Sequence, residues 1–269
     1  MRRSVRFLVG IVAVAVVAAG CGGDSDDESS SITTPATGEV TTSPATTAPA
    51  SDPRSPDQLA ADRGAAERAV LKLADLPPGW TGEPDTDDTT PEVEAAQQRF
   101  ATCLGVDPSF IGGGARAGAR AESDDFEDDD NHQVQNTVTM VFSRERALQQ
   151  LETFRKPEAR ECFETFVNTA FQVSLRNPGP GQTAPPGLSF GEARVEVLSV
   201  GGLRTDSVAY RARVPVTVRE DTAEAVFDIV LALKGRAGIT MIFISIGAPF
   251  PAELETSLTN TVIDRAPSS

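Results

Sequence analysis

Histidine is almost absent from this chain. Of 269 residues, one is histidine, one tryptophan, one tyrosine and three are cysteine. Any Ser-His-Asp or Cys-His arrangement must therefore pass through His132. That residue follows directly on Asp128-Asp129-Asp130-Asn131, and no Gly-x-Ser-x-Gly elbow occurs anywhere. His132 reads as a solvated loop residue; an envelope hydrolase working through it is the alternative. A serine–lysine hydrolase stays formally open but has no motif. Cys/His zinc spacing, a phosphate-binding P-loop and a GxGxxG turn after a strand are all missing. No cofactor and no metal is expected. Basic charge is also scarce: 24 Lys and Arg against 39 Asp and Glu, a formal net charge of −15. Such a surface repels phosphate backbones, so no nucleic acid partner is expected.

What is present begins at the N-terminus. The apolar stretch Phe7–Ala19 is too short to span a bilayer, which takes about 20 residues, and its length fits the h-region of a signal peptide. Arg2, Arg3 and Arg6 precede it, and the positive-inside bias keeps such a start in the cytoplasm. Ala18-Ala19-Gly20-Cys21 resembles the lipobox of bacterial lipoproteins, with Ala18 where leucine is usual. Residues 1–20 are therefore expected to be a lipoprotein signal peptide and Cys21 the lipidated residue. A diacylglyceryl group inserts two chains, enough for stable anchoring where one is marginal. The expected localisation is the extracytoplasmic side of the cell membrane, with the membrane as partner through that anchor. An ordinary secretory signal that leaves Cys21 a free thiol is the alternative.

Residues 21–55 are rich in Ser, Thr and Pro and nearly free of large apolar side chains. Such a segment cannot bury enough surface to offset its ordering entropy, so it reads as a disordered tether and passive spacer. Residues 56–269 have the length of a single domain with a real core. Helices are expected at Pro56–Asp75, Pro91–Leu104, Arg144–Arg155, Glu158–Phe171 and Pro251–Arg265 from the spacing of their apolar residues. Loops are expected at 112–130 and 177–187. Strands are expected at Val134–Phe142, 188–199, 207–219, 224–233 and 238–247. The last two are apolar at nearly every position, and a strand with two apolar faces is covered on both sides, by helices on both faces or by dimerisation there. Consecutive strands joined by short turns make an antiparallel sheet. The expected fold is α+β: about five antiparallel strands packed by helices on both faces, an α/β/α sandwich.

Three features stand out within the domain. Cys103 and Cys162 are an even pair in an exported domain, which points to a disulfide; two buried thiols are the alternative. The acidic run from Glu122 to Asp130 has the carboxylates a Ca²⁺ ion would need, but lacks the Gly and Glu positions of an EF-hand loop. It reads as a solvated, self-repelling loop. Trp80 reads as a plug over the end of the first helix, with ligand stacking as the alternative.

The segment Leu71-Lys-Leu73-Ala74-Asp75-Leu76-Pro77-Pro78-Gly79-Trp80 is similar to the opening motif of actinobacterial domains, secreted or lipid-anchored, related to the extracellular sensor domain of PknH-type serine/threonine kinases. The order of Cys103, the strand before Ser143-Arg-Glu-Arg-Ala147, Cys162 and a closing helix ending in Arg265 follows the same pattern. At fold level the chain also resembles PsbP-like α-β-α sandwich lipoproteins. The first resemblance implies a ligand-sensing domain with a cleft beside the sheet; those domains carry two disulfides, and this chain has cysteines for one. The function expected is a lipid-anchored, non-enzymatic binding or sensor-like domain of the cell envelope. It would hold a small amphipathic molecule or, alternatively, act as a protein-interaction scaffold for an envelope protein.

Overall fold

In the computed structural model the described residues are 54–84, 91–106, 119–176, 186–268. The expected signal peptide, Cys21, all but the last two residues of the tether, and much of both expected loops lie outside them. Five α-helices are described: α1 (Pro56–Ala69), α2 (Pro91–Leu104), α3 (Arg144–Arg155), α4 (Pro157–Arg176) and α5 (Ala252–Arg265). Nine strands form one antiparallel sheet: β1 (Thr81–Glu83), β2 (Ala119–Glu122), β3 (Asp125–Glu127), β4 (Gln133–Met140), β5 (Leu188–Phe190), β6 (Arg194–Leu198), β7 (Asp206–Val218), β8 (Asp221–Lys234) and β9 (Ala237–Ile246). Across the sheet the order is β1-β3-β4-β9-β8-β7-β5, with β2 also on β4 and β6 also on β7.

The count of nine corrects the expected five; β1 is a three-residue addition beside β3, and the rest of the excess has two causes. The first is bulging. Phe190 pairs with Val216 and Arg194 with Arg213, so four steps on the edge strand oppose three on β7. The extra residue splits the expected strand 188–199 into β5 and β6. Gly191 sits in this bulge and donates its N–H to the Pro215 carbonyl. A Cβ there would lie 2.9 Å from the Pro215 ring, too close for any other residue. The second cause is that part of the expected 112–130 loop is strand. Ala119–Glu127 pairs with β4 and is itself bulged, since Glu122 opposes Thr137 while Phe126 opposes Val134. At that bulge Ser123 donates its N–H to the Asn136 carbonyl and its Oγ accepts from the Asn136 N–H.

The first helix also ends earlier than its periodicity predicts. Ser55 and Gln58 form a capping box at its start. At its end Val70 turns extended, and the Leu71 N–H donates to Asn136 Oδ1 at 2.8 Å instead of continuing the helical ladder. A single 3-10 turn, Leu73–Asp75, follows. Between β8 and β9 the two-residue turn Gly235-Arg236 places Gly235 at φ +58°, a conformation glycine adopts without cost. The C-terminal backbone at Ser268 passes too close to Gly235 to admit a Cβ.

Alternation along the strands divides the core in two. Tyr210, Ala212, Val214 and Val216 of β7, with Phe227, Ile229, Ile242 and Ile244, pack with Phe100 of α2 and with Phe163, Phe166 and Phe171 of α4. Val134, Val138, Ile239, Met241 and Phe243 point the other way, with Ala66 and Ala69 of α1 and Leu258, Val262 and Ile263 of α5. The period-2 pattern read from β7 thus places one set of its residues in a single apolar cluster.

Candidate functional site

Cys103 of α2 and Cys162 of α4 are joined as a disulfide, with Cα atoms 5.7 Å apart, a normal span for the bond. Around it Phe100 stacks on Phe166 at 4.9 Å. Cys162 is buried and Cys103 exposed, so the bond reaches from the core to the surface and joins α2 to α4.

His132 sits in the turn between β3 and β4. Its Nδ1 is 2.9 Å from Asp128 Oδ2, and its ring meets the Phe250 ring edge at 5.3 Å. Asp128 Oδ1 accepts from the backbone N–H groups of Asp130 and His132, which closes the turn. Asn131 takes φ +65° to complete it, a conformation Asn tolerates better than most residues. Phe250 also contacts Phe243 and Trp80, so Trp80 is a buried member of an aromatic group. Ser245 of β9 lies one residue past Ile244, the partner of Gln133 in β4. Ser245 is 1% exposed, and its Oγ makes no hydrogen bond among the described residues. The nucleophile–base hydrogen bond that marks an activated serine is not made.

Among the described residues, no group of three or more His, Cys, Asp and Glu is arranged to hold a metal ion. The acidic run is spent locally. Glu122 pairs with Arg120, Asp128 closes its turn, and Glu127 Oε2 accepts from Gln133 at 3.5 Å.

The sequence reading missed a polar cluster under α5. Arg211 of β7 forms a two-pronged ion pair with Asp228 of β8, both bonds 2.6 Å. Glu255 of α5 faces this pair. It is 2% exposed, and its Oε1 has no hydrogen-bond partner among the described residues. Burial, and then the Asp228 carboxylate beside it, push its pKa up from the ordinary value to about 7, while Arg211 pulls the other way. A signal for this was in the sequence: Glu255 lies three residues before Leu258 and seven before Val262, on the face α5 buries.

Next to this cluster the surface carries a shallow groove of about 440 Å³, lined by Gly201, Ala252, Glu253, Thr256 and Ser257. The loop between β6 and β7 forms its other wall and is laced to α5. Thr256 Oγ1 donates to the Gly201 carbonyl, Asn260 Nδ2 to the Gly202 carbonyl, and Arg204 pairs with Asp264. Thr256, Asn260 and Asp264 are four residues apart, one stripe of the helix.

No family model matches the sequence, and no curated protein matches it. Among solved structures, the crystal structure of the extracellular domain of PknH from Mycobacterium tuberculosis aligns over 76% of this chain and 95% of that one, with a TM-score of 0.41 and 9% sequence identity. At that score and identity the likeness in fold is weak and says nothing about what this chain binds.

Proposed function

We propose that this chain is a lipid-anchored, non-enzymatic binding or sensor-like domain on the extracytoplasmic side of the cell membrane. The carrying observation is the Cys103–Cys162 disulfide, because structural disulfides persist in oxidising compartments. The lipobox-like Ala18-Ala19-Gly20-Cys21 and the Ser/Thr/Pro-rich tether after it agree with that address. A small amphipathic molecule would bind in the groove beside α5, its apolar part on Ala252 and its polar part toward Thr256 and Ser257. Native mass spectrometry of the protein purified from its own membrane tests both parts. The expected result is a diacyl mass on Cys21 and a bound small molecule that is lost in Thr256→Trp. An unlipidated Cys21, or protein free of any ligand, overturns the corresponding part.

The shallowness of the groove favours a second reading, a protein-interaction lipoprotein that uses this surface without a pocket. Crosslinking in cells separates the two. One dominant envelope protein captured at Glu253 or Ser257, with no small molecule bound, supports the second.

A further inference from the structure

A sheet edge normally offers its outward N–H and C=O groups to any strand that comes near. At the start of β6 (Ala193 and Val195) these groups are taken by α4. Asn168 Oδ1 accepts from the Ala193 N–H at 2.8 Å. Glu164 Oε2 accepts from the Val195 N–H at 3.1 Å, and Arg160 Nη1 donates to the Val195 carbonyl at 3.4 Å. Arg160, Glu164 and Asn168 are spaced by four, so they form one stripe along the helix, laid against the strand as a neighbouring strand would be. Cys162 lies between the first two, and its bond to Cys103 fixes α4 to α2.

The covered strand is complementary to itself. Val195 turns its backbone groups away from β7, so by alternation Val197 does too. Antiparallel pairing of two copies about Val195 would set Val195 against Val195 as a pair exchanging both hydrogen bonds. Ala193 would then meet Val197, and each Arg194 would face Glu196 of the second copy, an opposite-charge pair on both sides of the two-fold. Val197 is 62% exposed and ready for such a contact.

We propose that α4 is a cover over the β6 edge, and that this edge, uncovered, pairs with the same edge of a second copy. The experiment is light scattering of the whole chain in mild detergent. Wild type is expected to have the protein mass of one copy. The combined variant Arg160→Ala, Glu164→Ala, Asn168→Ala is expected to double that mass. Adding Val197→Pro is expected to restore one copy, because the lost N–H points away from β7 and costs the folded monomer no ladder bond. A folded combined variant that stays single at high concentration overturns the proposal, as does a dimer indifferent to Val197→Pro. If the combined variant fails to fold, hydrogen exchange on wild type decides. The cover requires the Ala193 and Val195 amides to exchange at least tenfold more slowly than the Val197 amide, and equal rates overturn it.

Discussion

Glu255 is the residue where burial and charge conflict most. Its carboxyl faces Asp228 and Arg211, with no hydrogen-bond partner for Oε1 among the described residues. Its folded pKa, about 7, lies above the ordinary 4.5, so the folded state holds a proton that the unfolded chain has released. The contribution of this group to stability is full below pH 4.5 and falls as pH rises to about 7, by a total on the order of 3 kcal/mol. Asp62 and Asp75 act in a different window. Their pKa values are held down, chiefly by hydrogen bonds from Arg236 and Arg265 respectively. What they contribute is present above about pH 4 and is lost only as pH falls further. Urea titrations between pH 5 and pH 8 should therefore show wild type losing stability on the alkaline side while Glu255→Gln stays level. Parallel curves for the two proteins would refute the assignment. The sequence hid this residue because an acid near a helix N-terminus usually points to water and complements the helix dipole. Only its spacing from Leu258 and Val262 marked it as inward.

At the scale of elements, helices with strong apolar periodicity were legible, and α2 and α3 fall on the residues read from sequence. Segments defined by a neighbour were not. Ala119–Glu127 carries Arg and four acids, so its own propensity argues for a loop, and its pairing with β4 overrides that. The early end of α1 depends on the Asn136 amide, which no local pattern reveals. The start of α1 is likewise held from afar. Asp62 accepts from Arg54 at 2.7 Å and from both terminal nitrogens of Arg236 at 3.1 and 2.7 Å. The same two arginines bond the Met140 and Val141 carbonyls, so one carboxylate ties α1, the end of β4 and the β8–β9 turn together. Removing it takes from Arg236 the carboxylate it holds with two bonds and from Arg54 one of its partners, and breaking a buried pair by deleting one side costs about 3 kcal/mol or more. Asp62→Ala should lower the urea midpoint accordingly, and Asp62→Asn by less, since the amide oxygen still accepts. A loss under about 0.5 kcal/mol for Asp62→Ala would show the cluster to be a solvated surface contact.

At the scale of the molecule, the sheet supplies continuity and the disulfide supplies closure. The five strands read from sequence make up the sheet's centre and one edge; the strands it missed are at the other edge, where charge replaces alternation. The candidate site was less legible than the fold. The groove depends on a loop laced to α5 from some 55 residues away in sequence, and such contacts leave no trace in local spacing. The disulfide is also a long-range contact, yet it could be read, because residues 56–269 hold two cysteines and so offer one pairing. It closes a loop of sequence separation 59. Constraining a loop of that size in the unfolded chain is worth about 4 kcal/mol at most on the chain-entropy model. Small domains have about 5–15 kcal/mol of total stability, so this is a large share of it. The aromatic contacts between the two helices, with Phe100, Phe163 and Phe166 in mutual contact, hold α2 on α4 apart from the covalent link. The double variant Cys103→Ser, Cys162→Ser should therefore still fold, with an unchanged circular dichroism spectrum, but lose 2–4 kcal/mol in urea unfolding. Wild type treated with reductant should move to the same midpoint. A variant as stable as the oxidised protein would mean that the aromatic contacts alone hold the two helices and that the bond is incidental to the fold.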